Sequence, residues 1–397
     1  MDASDRSTLS RLLRGVVALG IVSLCMDTSS EMIHAALPLF LTTALGASAL
    51  TLGWIEGVAE ATASVTKVFA GTASDWFGRR KPFALLGYGL SALTRPLFPL
   101  ANSVATVLFA RFVDRVGKGI RGAPRDALVA DLTPAAQRGA AYGLRQALDS
   151  VGAVLGPAIA LLLLVASGDS FRTVFWVAVA PAILAVAVLA LAVREPERPS
   201  SARALRSPIQ RSELARLSRR YWQVVAFGVV LTLARFSEAF LVLRAADAGL
   251  ALRFAPLALV AMNLAYAATS YPLGKLSDRA QRPVAALGLA CLVVADLALA
   301  AAAGRPALAL LGAALWGLHM GATQGLVTAL VADAAPENLR GTAFGVFHLL
   351  VGVAQLVASV LAGALWSQLG PAATFAAGAL FSAVAAAGLF VAWRPRS

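Results

Sequence analysis

Charge is scarce in this chain. Asp, Glu, Lys and Arg make up 14% of its 397 residues, where a soluble globular protein carries about 25%. Cysteine is rarer still. Cys25 and Cys291 are the only two, and both fall inside apolar runs, so no disulfide framework is implied and both read as small buried hydrophobes. No GxxxxGK[ST] stands in a strand–helix context. Gly117-Lys118-Gly119 lies within an apolar helix and lacks that pattern, which argues against ATP hydrolysis. A nucleophile elbow with its serine, histidine and carboxylate is missing as well, so the chain does not read as an enzyme. The N-terminal MDASDRSTLSRLLR has no typical signal-peptide cleavage pattern. The apolar run after it holds Asp27, Glu31 and His34 and is too long for a signal core, so it reads as a first membrane helix.

Apolar residues supply what charge does not. They are 59% of the chain, far more than one globular core can shelter from water. Runs of roughly 20 such residues cross a bilayer, and the sequence predicts twelve of them. The first six are Gly15–Leu41, Leu50–Thr72, Phe83–Leu100, Ser103–Gly122, Gly139–Val165 and Phe171–Ala192. The second six are Trp222–Leu243, Phe254–Leu273, Val284–Ala302, Ala307–Ala334, Thr342–Leu365 and Ala373–Trp393. The fold class is therefore an all-α membrane protein.

The net charge is +13. In a soluble protein that would suggest nucleic acid, but here the arginines cluster in short loops between apolar runs. Arg6, Arg11 and Arg14 precede the first span; Arg79, Arg80 and Lys81 follow the second; Lys275, Arg279 and Arg282 follow the eighth; Arg394 and Arg396 end the chain. All fall on one side of a twelve-span chain, facing anionic lipid, so that side is cytoplasmic and holds both termini. The longest polar stretch, 194–220, is read as a cytoplasmic linker between an N-terminal bundle, 1–193, and a C-terminal bundle, 221–397. A surface helix near Ser212–Arg220 or a plain flexible linker fits it equally.

The two bundles echo each other. ALVADLTPAAQRGAAYG from Ala127 recurs as ALVADAAPENLRGTAFG from Ala329. Asp131 thus matches Asp333, and Arg138 matches Arg340, at an offset of 202 residues. GTASD from Gly71 recurs as GKLSD from Gly274. Repeated halves of membrane helices are an architecture of secondary transporters. The recurrence of Asp131, Arg138, Asp333 and Arg340 argues for a structural clamp in each half.

These motifs resemble the major facilitator superfamily. Gly71-Thr-Ala-Ser-Asp75-Trp-Phe-Gly78-Arg79-Arg80-Lys81 is similar to its signature loop between the second and third spans, and Gly274-Lys-Leu-Ser-Asp278-Arg279 is a weaker echo with Gln281 in place of Gly78. Arg111 matches the family's fourth-span arginine. Gly152-Ala-Val-Leu-Gly156-Pro157 resembles the glycine–proline motif of drug and proton antiporters, without its glycine-rich continuation. The resemblance implies two pseudo-symmetric six-helix bundles of a monomer and a substrate path between them near the bilayer midplane. It also implies alternating access and a cytoplasmic gate at Gly71, Asp75, Gly78, Arg79, Gly274, Asp278 and Arg279. A bacterial inner (plasma) membrane is the expected location.

Charges at membrane depth are costly unless paired or facing water. Asp27, Glu31 and His34 share one face of the first span. Glu56, Glu60 and Lys67 share a face of the second. Arg111, Asp114, Arg115 and Lys118 lie in the fourth, where the family usually has small residues at the positions of Arg115 and Lys118. Arg145 and Asp149 lie in the fifth, Arg235 and Glu238 in the seventh. We read Asp27 and Glu31 as leading proton-coupling residues, with Glu56, Glu60 and His34 as further candidates. Arg111, Asp114, Arg115, Lys118, Arg145, Asp149, Arg235 and Glu238 are read as a polar substrate cavity, to which Trp54, Phe240, Tyr266 and Trp316 can add aromatic walls. Any one pair can equally be a structural salt bridge.

Four functions remain open. Proton-coupled efflux of small amphipathic molecules leads, needing no cofactor beyond a proton gradient. The arginines allow an organic-anion transporter. Asp27, Glu31 and His34 allow a divalent-metal exporter, though no resident metal is called for. A membrane sensor or scaffold that does not transport is the fourth. The expected partners are a small-molecule substrate, protons and membrane lipid, with no nucleic acid.

Overall fold

The computed structural model describes residues 3–77, 79–134, 137–195, 214–336 and 339–392; side chains of 3–13, Thr72, Asp75 and 389–392 are not described. Gly78, most of the 194–220 linker, Glu337, Arg394 and Arg396 therefore lie outside the described residues, as do the side chains of Asp75, Arg6 and Arg11.

The described residues are helical and carry no strand. α1 (Ala3–Leu39) closes in a π-helical turn, Phe40–Ala44, then α2 is Ala49–Phe77, α3 Lys81–Thr94, α4 Leu97–Leu100, α5 Val104–Asp131, α6 Arg138–Ser167 and α7 Phe171–Ala192. The rest are α8 (Arg219–Ala234), α9 (Ala239–Asp247), α10 (Leu257–Ser277), α11 (Gln281–Ala300), α12 (Pro306–Ala334), α13 (Arg340–Leu369) and α14 (Pro371–Ala392). With α3–α4 and α8–α9 each taken as one interrupted span, the described residues hold the twelve expected spans. Nine stretches among them are long and apolar enough to cross a membrane.

Local chemistry explains the boundaries. Pro38 removes a donor near the end of α1, and Thr42 and Thr43 donate to the carbonyls of Pro38 and Leu39 at 2.9 and 2.6 Å. The two hydroxyls thus supply hydrogen bonds to backbone carbonyls where the helix changes to a π-turn. Ser103, Ser170 and Ser218 cap α5, α7 and α8, accepting from Thr106, Thr173 and Tyr221. The third expected span breaks at Arg95-Pro96, and the seventh at residues 235–238. The fourth was expected to end at Gly122 but runs on to Asp131, because its late charges find partners. Of the stretch near Ser212–Arg220, read equally as a surface helix or a flexible linker, residues 212 and 213 lie outside the described residues; a turn and bend span residues 215–217, and helix begins at Arg219.

Packing separates the chain into two compact units. One holds residues 1–34 and 62–207, the other 35–61 and 208–397. In the first, α3 packs against α5 and α7; in the second, α11 packs against α12 and α14. Third with fourth and sixth, ninth with tenth and twelfth: the repeat seen in sequence reappears in the packing. The first core gathers Leu19, Val22, Met26, Tyr88, Leu128 and Leu189. The second centres on Phe236, whose ring lies 5.4 Å from Trp316, 5.4 Å from Phe375 and 5.6 Å from Phe240. Phe240 and Trp316 are thus core residues rather than the expected cavity walls, and Trp54 is exposed.

Glu195, just beyond α7, ties back onto the start of α3. Its carboxylate accepts from the backbone N–H of Arg80 and, at 3.2 Å, of Lys81. Glu195→Ala is expected to lower stability by about 1 kcal/mol, the usual worth of a helix-start cap. A downward shift in the melting temperature of detergent-purified protein checks it; an unchanged melt would count against the cap.

Candidate functional site: a buried charge layer

α5 carries a stripe of charge through the first unit. Arg111, Asp114, Arg115 and Arg121 are buried, while Lys118 is exposed. Helical spacing of three and four residues brings these groups onto neighbouring rows.

The deepest pair joins two helices. Arg95, between α3 and α4, is 0% exposed. Its Nη2 lies 3.2 Å from Asp114 Oδ1 and donates to Ser30 Oγ at 2.7 Å. Arg111 Nη2 meets His34 Nδ1 at 3.1 Å, so the α1 histidine is engaged by an arginine. Arg121 donates to Ser91 Oγ at 2.9 Å and sits 4.7 Å above the Tyr88 ring, a cation–π geometry.

Toward the other end of α5, Arg125 pairs with Asp126 at 3.1 Å. Asp126 also lies 3.7 Å from Arg145, which pairs one turn along α6 with Asp149. Asp149 and Asp27 both act on Arg125 electrostatically. Asp27 and Glu31 are half-buried on α1, where α1 meets α6 at two glycines. A Cβ at Gly152 would stand 3.2 Å from Asp27 Cβ and 2.8 Å from Leu24 O. One at Gly156 would stand 2.4 Å from Glu31 Cβ and 2.8 Å from Thr28 O. The glycine–proline motif therefore lets α6 lie directly on the acidic face of α1, with Pro157 buried beside it.

The residues read as coupling groups and as cavity groups are drawn from both units. Asp27, Glu31, His34, Arg111, Asp114, Arg115, Lys118, Arg145 and Asp149 belong to the first unit. Glu56, Glu60, Arg235 and Glu238 belong to the second. There Glu56 is buried and accepts from Ser237 Oγ at 3.4 Å, while Glu238 and Tyr266 act on Arg235 electrostatically. His319 is buried with Nδ1 2.8 Å from Gly288 O. Among the described residues no group of three or more His, Cys, Asp or Glu side chains is placed to hold a metal.

The loop residues also find their places. Arg80 Nε lies 3.3 Å from Asp131 Oδ2, joining the signature loop to the repeated segment. Arg79, Arg138, Asp278, Arg279, Asp333 and Arg340 are exposed, and Gly71 and Gly274 are half-buried.

Arg95, Arg121, Arg125 and Asp126 were not singled out by the sequence reading. Arg95 had a visible signal: an arginine ending an apolar run just before a proline. The others belong to the run RFVDRVGKGIRGAPRD, whose unusual charge was visible but whose pairings were not.

A family model for the Major Facilitator Superfamily matches residues 19–244 and again 238–397. The chain belongs to this superfamily. It is a multi-pass membrane transporter, not an enzyme, and its fold is two pseudo-symmetric six-helix bundles. An uncharacterized MFS-type transporter of Methanocaldococcus jannaschii is 31% identical over 94% of this chain and 93% of its own length. The quinolone resistance protein NorA of Staphylococcus aureus is 25% identical over 50% of this chain and 48% of its own. Among solved structures, the nucleoside transporter NupG superposes with a TM-score of 0.80 at 11% identity, covering 96% of this chain and 100% of that one; such a likeness speaks for the fold.

Proposed function

We propose that this transporter couples inward proton movement to the export of small amphipathic molecules by alternating access, as a monomer in a bacterial inner membrane with both termini cytoplasmic. The observation that carries the reading is the placement of Asp27 and Glu31. Two carboxylates lie against a glycine seam of α6, and the charge of Asp27 acts on Arg125. Protonation there changes the charge that α1 presents to the arginines of α5 and α6, and so can bias one conformation over another. The partial likeness to a quinolone resistance protein favours export. Asp75, Gly78 and Arg79, with Asp278 and Arg279, act in this reading as the cytoplasmic gate, and Asp131 and Arg138 with Asp333 and Arg340 as clamps.

The test is flux of a fluorescent amphipathic cation in proteoliposomes under an imposed pH gradient. Asp27→Asn and Glu31→Gln are each expected to cut gradient-driven flux to the level of empty liposomes while leaving the folded yield unchanged. Normal pH-dependent flux in both variants would overturn the coupling assignment.

One observation favours a second reading. Arg95, Arg111, Arg115, Arg121, Arg125 and Arg145 crowd one unit, an excess of positive charge that suits an anionic substrate. Protection of the fold by organic anions but not by cations, lost in Arg111→Gln, would move the assignment to organic-anion transport.

A further inference from the structure

The second unit buries a carboxyl group that has no hydrogen-bond partner among the described residues. Asp296 of α11 is 0% exposed. Neither Oδ1 nor Oδ2 finds a hydrogen bond among the described residues. Gly378 of α14 makes the room: a Cβ there would stand 2.7 Å from Asp296 Oδ2 and 3.2 Å from the Phe236 ring.

The helices packed around α11 offer this carboxyl no counter-charge. α14 has no titratable side chain within Pro371–Ala392. α12 carries His319 and Asp333; the first is held by Gly288 O, about two turns from Asp296, and the second is exposed. α10 carries Tyr266, Tyr271 and Lys275, of which Tyr271 and Lys275 are exposed. At the α8–α9 break, beside Phe236, the charge of Arg235 is acted on by Glu238 and Tyr266. In α9, Arg244 reaches the end of α11, donating to Leu299 O at 2.7 Å and Ala300 O at 3.0 Å, but its remaining arm pairs with Asp247.

An ionised carboxylate without a partner in an apolar membrane interior costs several kcal/mol, and the neutral acid far less. We propose that Asp296 is a proton-binding site of the second unit, loaded in this conformation. Release breaks the carboxyl O–H bond and passes the proton to water as α14 withdraws from α11. The carboxylate left behind then draws the Arg244 arm that pairs with Asp247 in this conformation, while Arg244 stays on the α11 carbonyls within one turn of Asp296. The proton site stands on its own geometry; only its contribution to transport rests on the proton-coupled reading above.

The test is infrared spectroscopy of the full chain in nanodiscs through a pH series. Wild type is expected to show, at neutral pH, the carbonyl stretch of a protonated carboxylic acid lacking hydrogen bonds. That band should fade as pH rises and be lost completely in Asp296→Asn, which keeps the volume of the side chain. Asp296→Glu should keep a titrating band at a shifted position, which serves if the asparagine variant does not fold. Absence of the band at neutral pH would overturn the proposal. So would a band unchanged at every pH where the protein stays folded, since that marks a fixed structural acid. A titrating Asp296 band together with normal coupled flux in Asp27→Asn and Glu31→Gln would support this site while overturning the assignment to α1.

Discussion

Asp114→Ala is expected to be the most damaging single substitution in the first unit. It leaves Arg95, a fully buried guanidinium, without the one carboxylate that pairs with it among the described residues. Removing one member of a buried pair typically costs about 3–5 kcal/mol, a large part of the roughly 5–15 kcal/mol that holds a domain folded. Ser30 and Met26 remain near Arg95, but neither carries charge. The folded yield and the sharp melting transition in detergent should both collapse. Arg95→Met combined with Asp114→Leu should recover much of the loss, because apolar replacements of similar volume remove both desolvation penalties together. A single variant that melts like wild type, or a double variant no better than the single, would refute this account of the pair.

Gly156→Ala is expected to damage the chain for a different reason. The added Cβ would meet Glu31 Cβ at 2.4 Å, Thr28 O at 2.8 Å and Met32 N at 2.9 Å. Two of those are backbone atoms, so α6 must move away from α1. Overpacking of this kind costs about 1–3 kcal/mol. Gly143, on the same helix, has nothing within 4 Å of its Cβ position, and alanine there should gain up to about 1 kcal/mol of helix propensity. Melts of the two variants should therefore shift in opposite directions. In flux assays Gly156→Ala should also weaken the response to a pH gradient, because the displaced surface is the one carrying Glu31. Shifts of equal sign and size would mean that the α1–α6 seam is not close-packed.

Much of this was legible in the sequence because membrane spans announce themselves by length and composition. α7 ends where its apolar run ends, and α6, α12 and α14 differ from expectation by a residue or two at most ends. The failures have a shared cause. α5 was cut short at Gly122 because Arg125, Asp126 and Asp131 look like loop residues until Arg145 and Arg80 are seen beside them. α3 and α8 read as continuous because apolar residues resume directly after Arg95-Pro96 and after residues 235–238, so that the interruptions pass for charges within a span. Spacing along one helix groups Asp27 with Glu31, and both meet α6 at Gly152 and Gly156, while His34 meets Arg111 of α5. It could not say that Glu56 would settle with Ser237, since that depends on which helices become neighbours. Asp296 was passed over for a similar reason: one acid in CLVVADLALA carries little weight until its surroundings are known to be dry.

The charge stripe of α5 bears on how the chain is made. α5 is not among the nine stretches apolar enough to cross a bilayer by composition. Each charge near the centre of a lone helix opposes insertion by about 2.5–3.5 kcal/mol on translocon scales, so α5 cannot leave the translocon for lipid unaided. Its counter-charges lie on segments synthesised before and after it: Arg95 emerges ahead, and Arg145 follows. Arg95, already made when α5 emerges, lowers that cost by pairing with Asp114. The arginine that welds the finished bundle thus also serves as the escort that carries its most polar helix into the membrane.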